Sequence, residues 1–256
     1  MWLTLDIGNS AVKGGVFEGD RLMDPFRIPL RREDGEGSWE AEVETHLRGR
    51  AITRIGVASV VPAMTPRVEA LAARLNVRAE VIHHRMRLPF TLAYETPHTL
   101  GTDRLAAAAA AWVLYGQTED QGPRPVVALD AGTAVTYEVV NRTGVFIGGT
   151  IAAGPYLIRE ALARGTAQLP AVPLDLPLTP IGRSTHEALQ AGIMYAFLDS
   201  VRGMLDRIRQ HLGERPFVVT TGGWRDVLHT HLDAVDHVDP HLVLHGIRVL
   251  MTLNAP

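Results

Sequence analysis

The chain has 256 residues, is 46% hydrophobic, carries a formal net charge of −3 and contains no cysteine. That size and apolar content can bury a large core, as one domain near its upper limit or as two small lobes. The charge balance and the lack of a basic stripe with interleaved aromatics exclude a nucleic-acid footprint, and the missing cysteines exclude disulfides, thiolate metal sites and a cysteine nucleophile. The first residues reach a carboxylate at Asp6 too soon for a signal peptide, and no run approaches the roughly 20 apolar residues of a membrane span. A soluble cytoplasmic protein is expected.

In chain order, strand-like runs at Trp2–Leu5, Ala11–Phe17 and Arg21–Ile28 predict a meander, with Glu18-Gly19-Asp20 as a turn. A polar stretch from Arg31 to Ser38 leads to a predicted helix, then a strand at Ile55–Val60, then a helix with Val68, Leu71, Ala72 and Leu75 on one face. A strand near Ala79–Ile82 precedes an irregular connection from Pro89 to Pro97. Gly101 then opens an alanine-rich helix to about Leu114, the expected hinge. The second half repeats the order: strands at Val126–Leu129, Val135–Val140 and Val145–Gly148, helices from Pro155 and Thr185, a strand at Pro216–Thr220 and a last helix from His241. Strands alternating with helices mean α/β. Leu169–Pro180 is proline-rich and is expected to be an ordered loop over a cleft.

An Asp-x-Gly turn occurs twice, as Asp6-Ile7-Gly8-Asn9-Ser10 and as Asp130-Ala131-Gly132-Thr133-Ala134, each between two apolar runs. A glycine there lets backbone N–H groups approach an anion, and the neighbouring carboxylate can hold a cation that offsets phosphate charge. One such turn is ordinary hairpin chemistry. Two at matching strand ends, half a chain apart, suggest a duplicated fold with a nucleotide between lobes 1–115 and 116–256.

Four further motifs each admit a structural reading beside a functional one. Gly101-Thr102-Asp103-Arg104 puts a carboxylate and a guanidinium at a helix N-terminus, where anions are favoured and where Asp also simply caps. The glycines of Gly148-Gly149-Thr150-Ile151-Ala152-Ala153-Gly154 let the backbone approach a ligand, or make a tight strand-to-helix turn. Ile181-Gly182-Arg183-Ser184-Thr185 precedes a long helix that Thr185 can cap. Thr220-Thr221-Gly222-Gly223 follows an apolar strand and can close over an adenine or ribose. Lys13 is the only lysine, suited to a phosphate contact or to an exposed strand surface. His241 and His245 have helical i, i+4 spacing but no accompanying carboxylate motif, so no zinc site is expected.

In order and residue type these motifs closely resemble the type III pantothenate kinases of the acetate and sugar kinase, Hsp70 and actin superfamily. The resemblance spans nearly the whole chain and adds Ser59-Val60-Val61-Pro62, Tyr94 and Leu242-Val243-Leu244-His245-Gly246. It implies a duplicated ribonuclease H-like α/β fold, two lobes with an ATP cleft, and transfer of the ATP γ-phosphoryl to pantothenate on the path to coenzyme A by a homodimer. By that resemblance Asp103 is the general base. Tyr94, Gly101, Thr102, Arg104 and Thr185 bind pantothenate. Asp6, Gly8, Asn9, Ser10, Lys13, Gly132 and Thr133 attend the nucleotide, Asp6 with Mg²⁺ directly or through water, and Asp130 binds a monovalent cation, K⁺ or NH₄⁺. The chain departs from the family pattern at Ser10, where threonine is frequent, at Thr102, where alanine is usual, and at Ala153, where proline is common. The alternatives are a non-catalytic relative serving as a transcriptional accessory factor and a superfamily kinase for another small hydroxylated substrate.

Overall fold

A computed structural model describes residues 1–30, 38–47, 49–118 and 122–255. The polar stretch from Arg31 lies outside these residues as far as position 37. The expected meander is present as β1 (Trp2–Ile7), β2 (Ala11–Glu18) and β3 (Arg21–Pro29). After α1 (Ser38–Leu47), β4 (Arg54–Ser59) pairs parallel with β1, and after α2 (Thr65–Arg74), β5 (Arg78–Val81) pairs parallel with β4. The first sheet therefore runs β3-β2-β1-β4-β5.

The connection from Pro89 is not wholly irregular, since Thr91–Leu92 forms a short strand, β6. The alanine-rich helix α3 (Thr102–Ala110) continues as a looser π-helical turn over Ala111–Tyr115. The second sheet is built from β7 (Val126–Ala131), β8 (Ala134–Val140) and β9 (Val145–Ala153). It is followed by α4 (Pro155–Gly165), α5 (Thr185–Leu212), β10 (Phe217–Thr221), α6 (Arg225–His231) and β11 (His237–Val238). Its order is β11-β10-β7-β8-β9-β6. Apart from β6 at one edge, this is the arrangement of the first sheet read from its other end: a three-stranded meander whose first strand takes one parallel neighbour, which in turn takes another. The duplication expected from the paired turns is thus a property of the topology.

Period-two alternation sends each central strand's side chains to two cores. Val126 and Ala128 enter the core between the sheets, while Val127 and Leu129 enter an outer core with α5. Leu3, Leu5 and Ile7 face α1 and α2 on the other outer side. The last helix, α7 (Leu242–Leu253), starts one residue later than expected and lies beside α3 in the middle layer. Its Gly246 meets α3 backbone to backbone, for a Cβ there would stand 1.8 Å from the Ala106 carbonyl oxygen. The layers are helices, sheet, helices, sheet, helices.

Two expectations change. The strand expected over Val145–Gly148 runs on as β9 through Gly149, which pairs with Glu138 inside the sheet, to Ala153, and the strand-to-helix turn of the motif comes at its last glycine, Gly154, just before α4. The Leu169–Pro180 loop belongs to the outer core: Val172 is buried, Leu174 and Leu176 pack there, and the Tyr195 hydroxyl donates to the Pro177 carbonyl at 2.8 Å.

Candidate active site

Asp6 and Asp130 occupy equivalent places, near the carboxyl ends of the two central strands. On β1, alternation points Leu3, Leu5 and Ile7 outward and Asp6 inward. On β7, Asp130 continues the inward parity of Val126 and Ala128. Asp6 is 7% exposed, opposite Lys13 on β2, whose Nζ lies 3.2 Å from Asp6 Oδ2. Asp130 is flanked by Thr136 on β8 and Thr221 on β10.

These groups feel one another. Burial pushes the Asp130 carboxyl up to about 6, with Lys13 opposing and Asp6 and Asp103 adding to the rise. Asp6 also lies above the usual carboxylate range, raised by burial and by Asp103 and held back by Lys13. Burial disfavours the Lys13 ammonium, but Asp6 and Asp130 more than offset it and hold its pKa above the ordinary value. Three carboxylates and one ammonium therefore lie within electrostatic reach of one another, a surplus of negative charge that suits a bound cation. Among the described residues no three His, Cys, Asp or Glu side chains form a metal-binding group by themselves, so a cation here would need oxygens from a ligand as well.

The two turns close alike: the Gly8 N–H donates to the Ala11 carbonyl at 3.1 Å and the Gly132 N–H to that of Ala134 at 2.9 Å. Neither glycine has a positive φ. A Cβ at either would meet nothing nearer than 3.7 Å and 3.5 Å respectively. The chain's own packing does not demand these glycines, whereas an anion approaching the backbone would. Asn9, Ser10 and Thr133 stand exposed at the turn tips. Gly222 is of the other kind: at φ +89° it approaches Asp130, and a Cβ there would lie 2.4 Å from its Oδ1.

Asp103 stands in the first turn of α3. Its Oδ1 accepts the Arg104 N–H at 2.8 Å and lies over Gly101, where a Cβ would come within 2.6 Å of it. Arg104 is 8% exposed and forms a bidentate pair with Glu138, which is 1% exposed, Nε to Oε1 at 2.7 Å and Nη2 to Oε2 at 2.8 Å. Burial raises the Glu138 carboxyl despite that pairing. The Tyr94 hydroxyl also interacts with Arg104, and its ring meets Phe146 edge-on at 5.9 Å. Gly149 makes room for the pair: a Cβ would lie 2.9 Å from Glu138 Oε2 and 3.0 Å from Arg104 Nη2.

The structure thus brings Asp6, Lys13, Asp103 and Asp130 into one electrostatic cluster and sets Tyr94 and Arg104 beside Asp103. The Thr102 hydroxyl is engaged by the backbone of Ser59, accepting from its N–H at 2.8 Å and donating to its carbonyl at 3.1 Å. Thr185 stands exposed at the start of α5, lining an apolar groove of about 380 Å³ between α4 and α5. It is not the cap: Ser184 Oγ accepts the Glu187 N–H at 3.2 Å, since the serine is the residue with extended backbone before the first turn. Sequence reasoning missed Glu138, whose signal was a lone carboxylate inside the apolar run Val135–Val140. His241, noted in the sequence only for its spacing from His245, has its pKa lowered by burial, with the charges of His245, Arg225 and Lys13 adding to the fall and Asp239 opposing it.

The sequence profile of the type III pantothenate kinase family matches residues 2–207. The "Type III pantothenate kinase 1" of Symbiobacterium thermophilum is 35% identical over 265 residues, covering 100% of this chain and 98% of that one. Among solved structures, a Campylobacter jejuni protein described as a Baf family transcriptional activator superposes with a TM-score of 0.61 at 17% identity, covering 98% of both chains. The inorganic polyphosphate/ATP-glucomannokinase of Arthrobacter sp. strain KM does so with 0.54 at 16%, covering 99% of both. At such identities these structural likenesses establish the fold alone. The profile match and the full-length relative establish the family: the chain belongs to the type III pantothenate kinases.

Proposed function

We infer that the protein transfers the γ-phosphoryl group of ATP to the primary hydroxyl of pantothenate, giving 4′-phosphopantothenate for coenzyme A synthesis. The observation that carries this reading is the meeting of Asp6, Asp103 and Asp130 between two turns whose glycines the fold itself does not require. The cleft lies between the lobes expected over 1–115 and 116–256, although β6 joins the second sheet and α7 packs in the layer between the sheets. The N–H groups of the Asp6–Ser10 and Asp130–Thr133 turns cradle the nucleotide phosphates, and Lys13 offsets their charge. Mg²⁺ at Asp6 and K⁺ or NH₄⁺ at Asp130 would supply the remaining neutralisation.

Asp103 accepts the alcohol proton. Its Oδ1 is held by Arg104 N–H, which leaves Oδ2 to face the hydroxyl. An aspartate serves here because the alcohol becomes acidic only as bonding to phosphorus advances in a loose transition state. Tyr94, Gly101, Arg104 and the Thr102 N–H at the start of α3 form the near wall of the pantothenate site, with Thr185 as a further contact. Arg104 holds Glu138 through Nε and Nη2 and also meets the Tyr94 hydroxyl, so it orients that hydroxyl beside the substrate.

A homodimer fits the apolar residues exposed around α4, Ile151, Tyr156, Leu157, Leu178 and Ile181. Among the described residues no helix is long and apolar enough to cross a membrane, and a cytoplasmic location suits these substrates. Direct detection of phosphopantothenate, with Mg²⁺ and either K⁺ or Na⁺, tests the reading. Product dependent on K⁺ supports both the activity and the Asp130 site; none under any cation from folded protein refutes the activity. Asp103→Asn should lower kcat by about 10²–10⁴-fold while pantothenate still binds in calorimetry.

A further inference from the structure

The residues flanking Asp103 reach in opposite directions. Thr102 bonds to Ser59 at the end of β4 in the first sheet, and Arg104 bonds to Glu138 on β8 in the second. The Thr102 contact has a definite cause. Val57 of β4 turns its carbonyl toward the β5 side, where it accepts the Ile82 N–H at 2.8 Å, and alternation turns Ser59 the same way. The paired register of β5 stops at Val81, opposite Val57. The N–H and carbonyl of Ser59 thus project past the end of their neighbour strand, and the single Thr102 hydroxyl satisfies both. On its other side β4 remains joined to β1, with the Val60 N–H donating to the Ile7 carbonyl at 3.2 Å, one residue beyond Asp6.

We propose that Thr102 is a positioning residue: its hydroxyl pins the first turn of α3 to the end of β4 and so fixes Asp103 relative to Asp6, while the Arg104–Glu138 pair fixes the same turn to the second sheet. The role rests on the phosphotransfer reading above, in which Asp103 is the base. It assigns the threonine hydroxyl to geometry instead of to substrate binding. Displacement of a reacting group by about 1 Å can cost on the order of 10²-fold in rate, so a tie of this kind is read in turnover before it is read in affinity.

Glu138→Gln would leave a buried guanidinium without its counter-charge and endanger the fold, so Thr102 carries the test. Thr102→Val keeps the shape and removes the hydroxyl. Steady-state kinetics should show kcat lowered about tenfold or more, with KM for pantothenate and for ATP within about twofold of the unmodified protein. Thr102→Ser, which restores the hydroxyl, should return kcat to within about threefold. A raised KM for pantothenate with kcat unchanged would make the hydroxyl a substrate ligand and overturn the proposal. Unchanged kcat and KM with only a lowered melting temperature would reduce the tie to a structural bond and overturn it equally. If the unmodified protein makes no phosphopantothenate, the activity reading fails, and this role fails with it.

Discussion

A carboxyl pushed up to about 6, as at Asp130, makes the folded chain bind protons more readily than the unfolded one. Between the ordinary aspartate value near 3.8 and 6, the native state then holds more protons than the unfolded state, so this residue's contribution to stability falls as pH rises through that window. Above it, the ionised group is a standing cost in the ligand-free protein, one that the cation proposed at Asp130 would relieve. We therefore expect Asp130→Asn to raise the melting temperature of ligand-free protein near pH 7.5 by a few degrees, about 2–4 °C per kcal/mol at this size. The same variant should remove the stabilisation that K⁺ gives with ATP, and differential scanning calorimetry checks both. The identity of the three aspartates was legible because each sits in a short motif. Glu138 was not, because a carboxylate in an apolar strand acquires meaning only when α3 delivers Arg104 to it across the sheet.

Elements with one apolar face were legible from periodicity, and those set by long-range contact were not. Two-residue strands such as Thr91–Leu92 and His237–Val238 exist only because β9 and β10 offer an edge to pair with. Where the strand from Val145 gives way to a turn was not legible, since glycine marks turns and sheet interiors alike; only the crowding of Gly149 by Tyr137, Glu138 and Arg104 puts it inside the sheet and leaves the turn to Gly154. The middle layer makes a firmer demand at Gly246. Gly246→Ala would drive a methyl to 1.8 Å from the Ala106 carbonyl, and α3 and α7 would have to separate. Overpacking of this kind costs roughly 1–3 kcal/mol or more. The urea midpoint should fall accordingly, and turnover at low temperature should fall too, because α3 carries Asp103.

At the scale of the whole molecule, the repeated sheet could be anticipated from two short turns, while the placing of α7 could not. The last helix leaves the second sheet to pack beside α3 against β1 and β4, a contact between residues far apart in the chain, as in Arg54 Nη1 to the Met251 carbonyl at 3.5 Å, 197 positions on. Truncation before Leu242 should therefore destabilise the first sheet as much as the second, which hydrogen exchange of β1 and β4 would show. Sedimentation velocity should give a particle of about twice the 27.9 kDa chain mass; a single-chain particle at micromolar concentration would reject the homodimer.

Six consecutive alanines, Ala106 to Ala111, lie buried between the two sheets. Each adds only a methyl to the helix radius, so the run works as a shim, setting how near the end of β1 comes to the end of β7. A helix of leucines there would leave every aspartate in the sequence and still drive the two strand ends apart. The separation between the two turns is in that sense written in residues that belong to neither.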